Sequence, residues 1–311
     1  MTPSATILFF GNERLASGLS TTAPALRGLI DAGYHVAAVI VAQNESGKSR
    51  TQRTLEVAEV AAEYDIPLLA PLDLMSARDE LRAYGANIAV LAAYGKIIPK
   101  AILDIFPAGV VNIHPSLLPL HRGSTPIESA ILRGDSDTGV SLMRLVPKMD
   151  AGPVYMQHSM ALDGSETKLA LCAQLDQMGS LMLLDALPAI LSGTLKPKPQ
   201  DELQATYDNQ LSKAAATLDW QQTAEQLARA VRAHAVWPRS RCTIGTQTVI
   251  VTAAHVEPGK GAPGALHVED GQLGIFTGGG LLVIDRLIPP GKNEMSAADF
   301  LRGYNPTAPV T

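Results

Sequence analysis

Short apolar runs rich in β-branched residues alternate with helix-forming segments along the first half of this 311-residue chain. Because the runs show almost no polar alternation, they predict strands buried on both faces, as in a parallel sheet covered by helices. The predicted strands are Thr6–Phe10, Tyr34–Val41, Ile88–Ala92 and Val110–Ile113, and the predicted helices are Ala23–Ala32 and Thr54–Tyr64. Such sheets bind ligands beyond the carboxyl ends of their strands, so a site is expected there.

The composition of the chain changes around residues 191–210. The run Lys196-Pro197-Lys198-Pro199 predicts an extended linker. Beyond it, one helix and then short strands separated by glycine turns predict a small β-barrel or sandwich: Thr223–His234, Thr248–Ala253, Gly264–Val268, Gln272–Thr277 and Leu281–Leu287. We therefore expect a catalytic domain in residues 1–190, a linker in 191–210 and a second domain in 211–311.

Charge and cysteine content exclude several classes of protein. The net charge of −5 argues against a surface uniformly adapted to nucleic acid, although a local basic patch remains possible. Cys172 and Cys242 provide neither a disulfide framework nor a zinc pattern, which fits a reducing compartment. No uncharged apolar run reaches the length of about 18 residues that a membrane span needs. These features predict a cytoplasmic protein with no membrane partner.

Two polar residues interrupt the end of the fourth predicted strand. Asn112 and His114 flank Ile113, and because strand side chains alternate, both point to the same side. Asp150 lies downstream in a glycine-containing loop. An amide can stabilise an oxyanion, an imidazole can share that task or move a proton, and a carboxylate can orient the imidazole. The three side chains suit acyl transfer to an amine without a serine or cysteine nucleophile.

Spacing alone also permits simpler interpretations of these residues. An Asn-x-His pair at a strand end is often a local hydrogen-bonding pair, and Asp150 before Gly152 can be a turn residue. A metal site built from His114, His121 and Asp150 is a further alternative, although no helix-spaced ligand pair supports it. A dinucleotide cofactor has no support, because the chain lacks a G-x-G-x-x-G run.

The stretch around Asn112 and His114 resembles the signature of the folate-dependent formyltransferases. It reads Asn112-Ile113-His114-Pro115-Ser116-Leu117-Leu118-Pro119 and continues with Arg122-Gly123. Asp150 stands where that family has its catalytic aspartate. The resemblance implies a Rossmann-like catalytic domain in which Asn112, His114 and Asp150 are catalytic. It also implies 10-formyltetrahydrofolate as the formyl donor, and no metal.

Two segments resemble the folate site of that family. Residues 116–119 match the segment that lines the tetrahydrofolate site, which assigns Ser116, Leu117, Leu118 and Pro119 to folate binding. Residues 91–99, which read L-A-A-Y-G-K-I-I-P, resemble the loop whose backbone faces the pterin ring. This second match assigns Leu91, Ala93, Tyr94 and Gly95 to the same site.

The second half of the chain resembles the branch of the family that formylates methionyl-tRNA. The matching segments are Leu211–Lys213, Leu218–Trp220, Arg232-Ala233, Trp237-Pro238 and Met295–Gly303. The resemblance implies an OB-like barrel that helps to hold tRNA. It also implies formylation of the methionine amine of initiator methionyl-tRNA, for translation initiation. Alternatives are an amino-sugar or other amine formyltransferase and, in a different class, a non-catalytic RNA-binding protein on the same scaffold. We expect a monomer.

Basic residues expected to contact the tRNA fall into separate groups. Arg229 and Arg232 belong to a segment that extends to Arg241 without an acid, a local basic patch suited to phosphates. Where the resembled family has a loop that wedges into the acceptor arm, this chain has Lys48, Arg50 and Arg53. Lys213 in the junction completes the predicted set. The alternatives are a solvated helix face and a mobile surface loop.

The first turn after β-strand one departs from the family pattern. The family usually has Gly-Thr-Pro-x-Phe-Ala, whereas this chain reads Gly11-Asn12-Glu13-Arg14-Leu15-Ala16. The basic loop is also thinner than usual. The sequence leaves the role of the turn open.

Overall fold

The structure, a computed structural model, describes residues 5–42, 55–304 and 310. The strands are β1 Thr6–Gly11, β2 His35–Ile40, β3 Leu68–Leu69, β4 Ile88–Ala92, β5 Val110–His114, β6 Arg122–Gly123, β7 Asp137–Arg144, β8 Val154–Ala161, β9 Tyr207–Asp208, β10 Arg241–Ile244, β11 Gln247–Glu257, β12 Leu266–Glu269, β13 Gln272–Phe276, β14 Leu281–Ile288 and β15 Met295–Ser296. The α-helices are α1 Pro24–Asp31, α2 Glu56–Glu63, α3 Arg78–Ala83, α4 Lys100–Leu103, α5 Pro126–Arg133, α6 Lys168–Leu191, α7 Ala224–Ala233 and α8 Ala297–Tyr304.

A seven-stranded sheet forms the centre of the first part of the chain, in the order β3-β2-β1-β4-β5-β7-β8. The strands from β1 to β5 in this sheet pair in parallel, as the apolar runs predict. Every residue of β4 and β5 is buried, as expected for strands covered on both faces. The sheet continues with β7 and β8, which pair antiparallel and were not predicted. The predicted α/β fold with a parallel sheet is confirmed, with this antiparallel extension.

The turn after β1, whose sequence departs from the family pattern, contains a glutamate that caps α1. Ala23, at the N-cap position, has no capping side chain, and the first backbone N–H groups of the helix need acceptors. The carboxylate of Glu13 accepts hydrogen bonds from the N–H groups of Ala25 and Leu26, each at 2.8 Å. Glu13, in this turn, therefore supplies the N-terminal cap of α1 that Ala23 cannot provide.

The second part of the chain contains an antiparallel, curled sheet in the order β10-β11-β14-β13-β12, with β15 beside β14. Helix α7 begins in a capping box, in which Thr223 and Gln226 exchange side-chain-to-backbone hydrogen bonds. Its apolar face packs with the sheet in one core that includes Leu227, Val231 and Phe300. This arrangement confirms the smaller β-domain expected after the linker.

The chain divides into two compact units, each made of three separate segments of the chain. One unit contains residues 1–126, 137–161 and 171–209, and the other contains 127–136, 162–170 and 210–311. The domain boundaries inferred from composition, a catalytic domain in 1–190 and a second domain in 211–311, stay a prediction. None of the helices in the described part of the chain, the 24-residue α6 included, combines the length and apolar character of a membrane span.

Candidate active site

Strand β5 carries Asn112 and His114 at the carboxyl edge of the first sheet. Asn112 lies between Leu91 of β4 and Met143 of β7, and Asn112 and His114 are each only 5% exposed as whole residues. Among the described residues, the Asn112 side chain has no hydrogen-bond partner. Its amide atoms are not among the fully buried, unsatisfied side-chain atoms of the described residues, so they still reach the surface of the site. Its donor is therefore available to a ligand.

The His114 ring is held by one nitrogen and presents the other. Its Nε2 lies 3.0 Å from the carbonyl oxygen of His121, which can only accept a hydrogen bond. Nε2 therefore carries the proton. Nδ1 faces the Asp150 carboxylate at 3.9 Å, which is too long for a direct hydrogen bond. The imidazole is thus fixed in one tautomer and directed toward a carboxylate.

Asp150 lies in a tight turn after β7, and its backbone has a positive φ of 45°. Asp tolerates this conformation better than most residues do. One carboxylate oxygen accepts a hydrogen bond from the N–H of Gly123 at 2.8 Å. The Gln200 side-chain amide donates to the carbonyl oxygens of Asp150 and Gly152, both at 2.7 Å. The turn that carries the carboxylate is therefore fixed from two sides.

A buried arginine lies behind this turn. Arg122 is fully buried, and its guanidinium donates to the Gln200 side-chain oxygen, to Glu202 and to the Tyr207 hydroxyl. Hydrogen bonds from Arg122 and then Lys148 lower the pKa of Glu202 to about 2. The same contact with Glu202 raises the pKa of Arg122. The predicted linker therefore contributes residues that support the Asp150 turn, a role its composition did not indicate.

The segment between β5 and β6 is fixed by internal hydrogen bonds. The buried Ser116 hydroxyl donates to the Leu120 carbonyl at 2.7 Å, and Ser141 donates to the Ser116 carbonyl at 2.6 Å. Leu118 is buried, whereas Leu117 and Pro119 are partly exposed. Of the residues assigned to folate in this segment, Leu117 and Pro119 offer side-chain surface to a ligand. The Ser116 side chain instead stabilises the loop.

The second segment assigned to folate follows β4. Leu91 and Tyr94 are buried, and the Tyr94 ring packs edge-on against Phe10 at a centroid distance of 5.6 Å. Burial raises the pKa of Tyr94 to about 12. Ala93 and Gly95 have positive φ values of 51° and 77°. The segment therefore offers a shaped backbone rather than side chains, in keeping with the backbone role that the resemblance implies.

The residues expected to contact tRNA are found in different surroundings. Arg229 and Arg232 are half-buried, and their Nε atoms donate to the carbonyl oxygens of Leu132 and Glu166. Burial, and then the charge of Arg229, lower the pKa of Arg232. Lys213 is exposed. Lys48, Arg50 and Arg53 lie outside the described residues.

The three residues of the metal alternative have other partners. His114 binds a backbone carbonyl, His121 pairs with Asp208 at 2.7 Å, and Asp150 accepts from Gly123. In the described ranges, no cluster of three or more His, Cys, Asp or Glu side chains could hold a metal ion. The geometry gives that alternative no support.

The structure brings together an available amide, an oriented imidazole and a fixed carboxylate. Such a set can stabilise an oxyanion and move a proton, which acyl transfer to an amine requires. Sequence reasoning missed Gln200 and Asp208, which reach the site from the linker. Their only signal was polarity in a segment assigned as a spacer.

Comparisons with known proteins agree across both parts of the chain. The sequence model of the formyl transferase family matches residues 15–187, and that of the formyl transferase C-terminal domain matches 210–305. A methionyl-tRNA formyltransferase of Methylococcus capsulatus is 37% identical over 303 residues, covering 96% of each chain. One of Myxococcus xanthus is also 37% identical, covering 96% of this chain and 95% of the relative.

A solved structure has the same fold at much lower identity. It is an N-formyltransferase from Helicobacter canadensis in complex with folinic acid and dTDP-3-aminofucose. It matches with a TM-score of 0.65 and 16% identity, over 90% of this chain and 97% of the other. The two matching domains and the near full-length relatives show that this chain belongs to the formyl transferase family.

Proposed function

We propose that this protein transfers the formyl group of 10-formyltetrahydrofolate to the methionine amine of initiator methionyl-tRNA. The observation that carries the proposal is the unpartnered amide of Asn112 beside an imidazole that faces the Asp150 carboxylate at 3.9 Å. The choice of acceptor is supported by relatives named methionyl-tRNA formyltransferase, which match both parts of the chain at 37% identity. An amino-sugar acceptor is less favoured, since the sugar enzyme is alike in fold at 16% identity.

Each residue of the set has a separate role in this proposal. As the amine attacks the formyl carbon, negative charge develops on the formyl oxygen, and the Asn112 amide donates a hydrogen bond to it. His114 transfers a proton through Nδ1, or with that proton bound supports the same oxygen, and Asp150 stabilises the positive charge of the imidazole and accepts the amine proton. As the tetrahedral intermediate collapses, the bond between the formyl carbon and N10 of the folate breaks, the proton passes to N10, and tetrahydrofolate leaves. The amine is itself the nucleophile, so no covalent enzyme intermediate is required.

The formyl donor fits the surface between the β4 and β5 loops. We assign it to the backbone of residues 91–95 and to the segment Ser116–Pro119. At Gly95 an added Cβ would meet no described atom within 4 Å, so this backbone borders open space. The exposed parts of Leu117 and Pro119 supply apolar surface for a ring system. The bound folate supplies the formyl group, and these residues orient it.

The acceptor tRNA is assigned to both parts of the chain. Catalysis would belong to residues 1–190, and residues 211–311 would hold the tRNA through Arg229, Arg232 and the junction residue Lys213. Lys48, Arg50 and Arg53 are proposed as a further contact. We also propose that the reaction takes place in the cytoplasm. The monomer stays our prediction, because one chain with one site suffices.

One parallel assay tests the proposal. Purified protein receives 10-formyltetrahydrofolate together with charged initiator tRNA, charged elongator tRNA, glycinamide ribonucleotide or a nucleotide-linked amino sugar. We expect formyl transfer to initiator methionyl-tRNA with a kcat/KM well above that of every other acceptor. Faster turnover of an amino sugar or of glycinamide ribonucleotide would refute the acceptor. Binding of tRNA without any turnover would refute the enzyme.

A further inference from the structure

Asp208, on the short strand β9, is hydrogen-bonded to a histidine beside the candidate site. Its carboxylate oxygen lies 2.7 Å from Nδ1 of His121, and the Asp208 side chain is only 2% exposed. The residues are 87 positions apart in sequence. A buried hydrogen bond to a carboxylate fixes the geometry of both partners, whatever its net effect on stability.

The first consequence of this pair reaches His114. The carbonyl oxygen of His121 accepts the Nε2–H of His114 at 3.0 Å. The backbone of His121 has a positive φ of 58°, a conformation that surrounding contacts must impose on a histidine. Two contacts do so: Asp208 holds the ring, and the Thr206 hydroxyl accepts from the His121 N–H at 2.8 Å. The carbonyl that fixes the His114 tautomer is therefore held by residues 206–208.

The second consequence reaches Asp150. Strand β9 pairs in parallel with β6, and Asp208 lies opposite Gly123. The N–H of Gly123 donates to the Asp150 carboxylate at 2.8 Å. The two backbones approach so closely that a Cβ on Gly123 would lie 2.4 Å from the Asp208 carbonyl oxygen. The donor that orients Asp150 is thus placed by the same residue that orients His114.

We propose that Asp208 is a positioning residue that sets the relative orientation of His114 and Asp150. It acts through its side chain on His121 and through its backbone pairing on Gly123, without contact with the reactants. The proposal rests on the proposed function for its kinetic consequences. Its structural consequence, one His114 tautomer, does not depend on which reaction the site performs.

Nuclear magnetic resonance of the full-length protein tests the structural part. In ¹⁵N-labelled wild-type protein, the His114 ring is expected to carry its proton on Nε2. In Asp208→Ala, we expect a mixture of the two neutral tautomers. The His121→Asn variant should behave similarly, and asparagine tolerates the positive φ at that position. A neutral wild-type ring protonated on Nδ1 instead of Nε2 would overturn the proposal, as would an unchanged tautomer in a folded Asp208→Ala protein.

Kinetics test the functional part, with a matched control. Asp208→Ala should lower kcat about 10- to 100-fold, as loss of groups that orient a site histidine does, with KM for both substrates within about twofold. Asp208→Asn retains the shape and one acceptor oxygen, so its loss should be smaller, and it covers the case in which the alanine variant does not fold. The control is Asp285→Asn, which makes the same Asp-to-Asn change in a His–Asp contact of similar length, 2.9 Å to His255, on the exposed face of the second unit.

The outcomes separate the two proposals. A wild-type protein without formyl transfer to methionyl-tRNA contradicts the proposed function, while the tautomer measurement still stands on its own. Normal transfer with an unchanged kcat in folded Asp208→Ala and Asp208→Asn overturns the positioning role. Equal kcat losses in Asp208→Asn and Asp285→Asn would also overturn it, because the effect would not depend on the site.

Discussion

At the scale of single residues, Glu13 shows how a local departure from a family pattern is accommodated. Its carboxyl is almost fully buried at the start of α1. Burial, and then the charge of Asp176, raise the pKa of Glu13 to about 8, although the two backbone hydrogen bonds oppose the shift. The turn is therefore held by a side chain that is protonated over part of the neutral range.

This pKa predicts a pH-dependent stability. Because folding raises the pKa of Glu13 from 4.5 to about 8, its contribution is complete below about pH 4.5 and is lost as the pH rises toward 8. His234 has the opposite behaviour: burial, and then Lys168, lower its pKa from 6.5 to about 4, so its effect is confined to lower pH. Between pH 6.5 and 8, the unfolding free energy should fall more steeply in the wild type than in Glu13→Gln.

Urea denaturation of both proteins across this range checks the prediction. The difference between the two proteins isolates Glu13 from the other titrating groups. If the unfolding free energies of the two proteins changed in parallel from pH 6.5 to 8, Glu13 would be ionised throughout this range. The two backbone N–H donors favour that ionised form.

Residue patterns identified side chains that the structure places at one strand end, but not the residues that hold them in position. Asn112 and His114 share a strand face two residues apart, so their proximity could be inferred from sequence. Gln200 and Asp208 could not be found in the same way. Each reaches its partners across 48 to 87 positions, and such pairings depend on the tertiary fold.

At the scale of secondary structure, the buried strands were predicted closely. Apolar residues on both faces leave one interpretation for β4, whose predicted bounds are the observed ones. Strands β7 and β8 were missed. Every residue of β8 is exposed or half-buried, and its sequence mixes polar and apolar residues. The long helix α6 was also missed, since Pro188 and glycine interrupt its pattern.

The carboxyl ends of β1 and β4 meet at Gly11. It has a φ of 120°, and an added Cβ would lie 1.8 Å from the Ala92 carbonyl oxygen. Gly95 also has a positive φ, but open space surrounds it. Gly11→Ala should therefore destabilise the protein by about 3 kcal/mol or more, whereas Gly95→Ala should cost only about 1–2 kcal/mol.

Thermal and urea unfolding of the two variants provides the comparison. Equal losses of unfolding free energy in the two variants would contradict the prediction. They would mean that only the positive φ matters at Gly11, and that the ends of β1 and β4 can move apart to admit a Cβ. The Gly95 variant serves as the control because it changes the same residue type at a positive φ without a backbone clash.

At the scale of the whole molecule, an acidic protein is proposed to bind a polyanion. The net charge is −5, so binding must depend on local cations. Arg229 and Arg232 each use Nε to bind a backbone carbonyl within the second unit. Substitution by glutamate would place a carboxylate against those carbonyls and would disturb folding as well as binding. Glutamine, which keeps a donor, is the better variant.

Salt dependence of tRNA binding should reveal which of these cations reach phosphates. Removal of one cation that neutralises a phosphate should reduce the slope of log Kd against log salt by about 0.9. We expect reduced slopes for Arg229→Gln with Arg232→Gln, and for alanine at Lys48, Arg50 and Arg53. Arg302→Gln is the control, since that exposed arginine pairs with Asp299. If the variants kept the salt slope of the wild type, these basic residues would not contact tRNA phosphates.

The central claim concerns the three residues that the first sheet and its loops bring together. The most direct test is the single-turnover rate of formyl transfer to initiator methionyl-tRNA in Asn112→Ala, His114→Ala and Asp150→Asn, each confirmed to be folded. We predict that each rate falls by about 10²- to 10³-fold while tRNA affinity is unchanged, as for loss of one oxyanion donor. A folded His114→Ala or Asp150→Asn protein with a near wild-type rate would contradict the account.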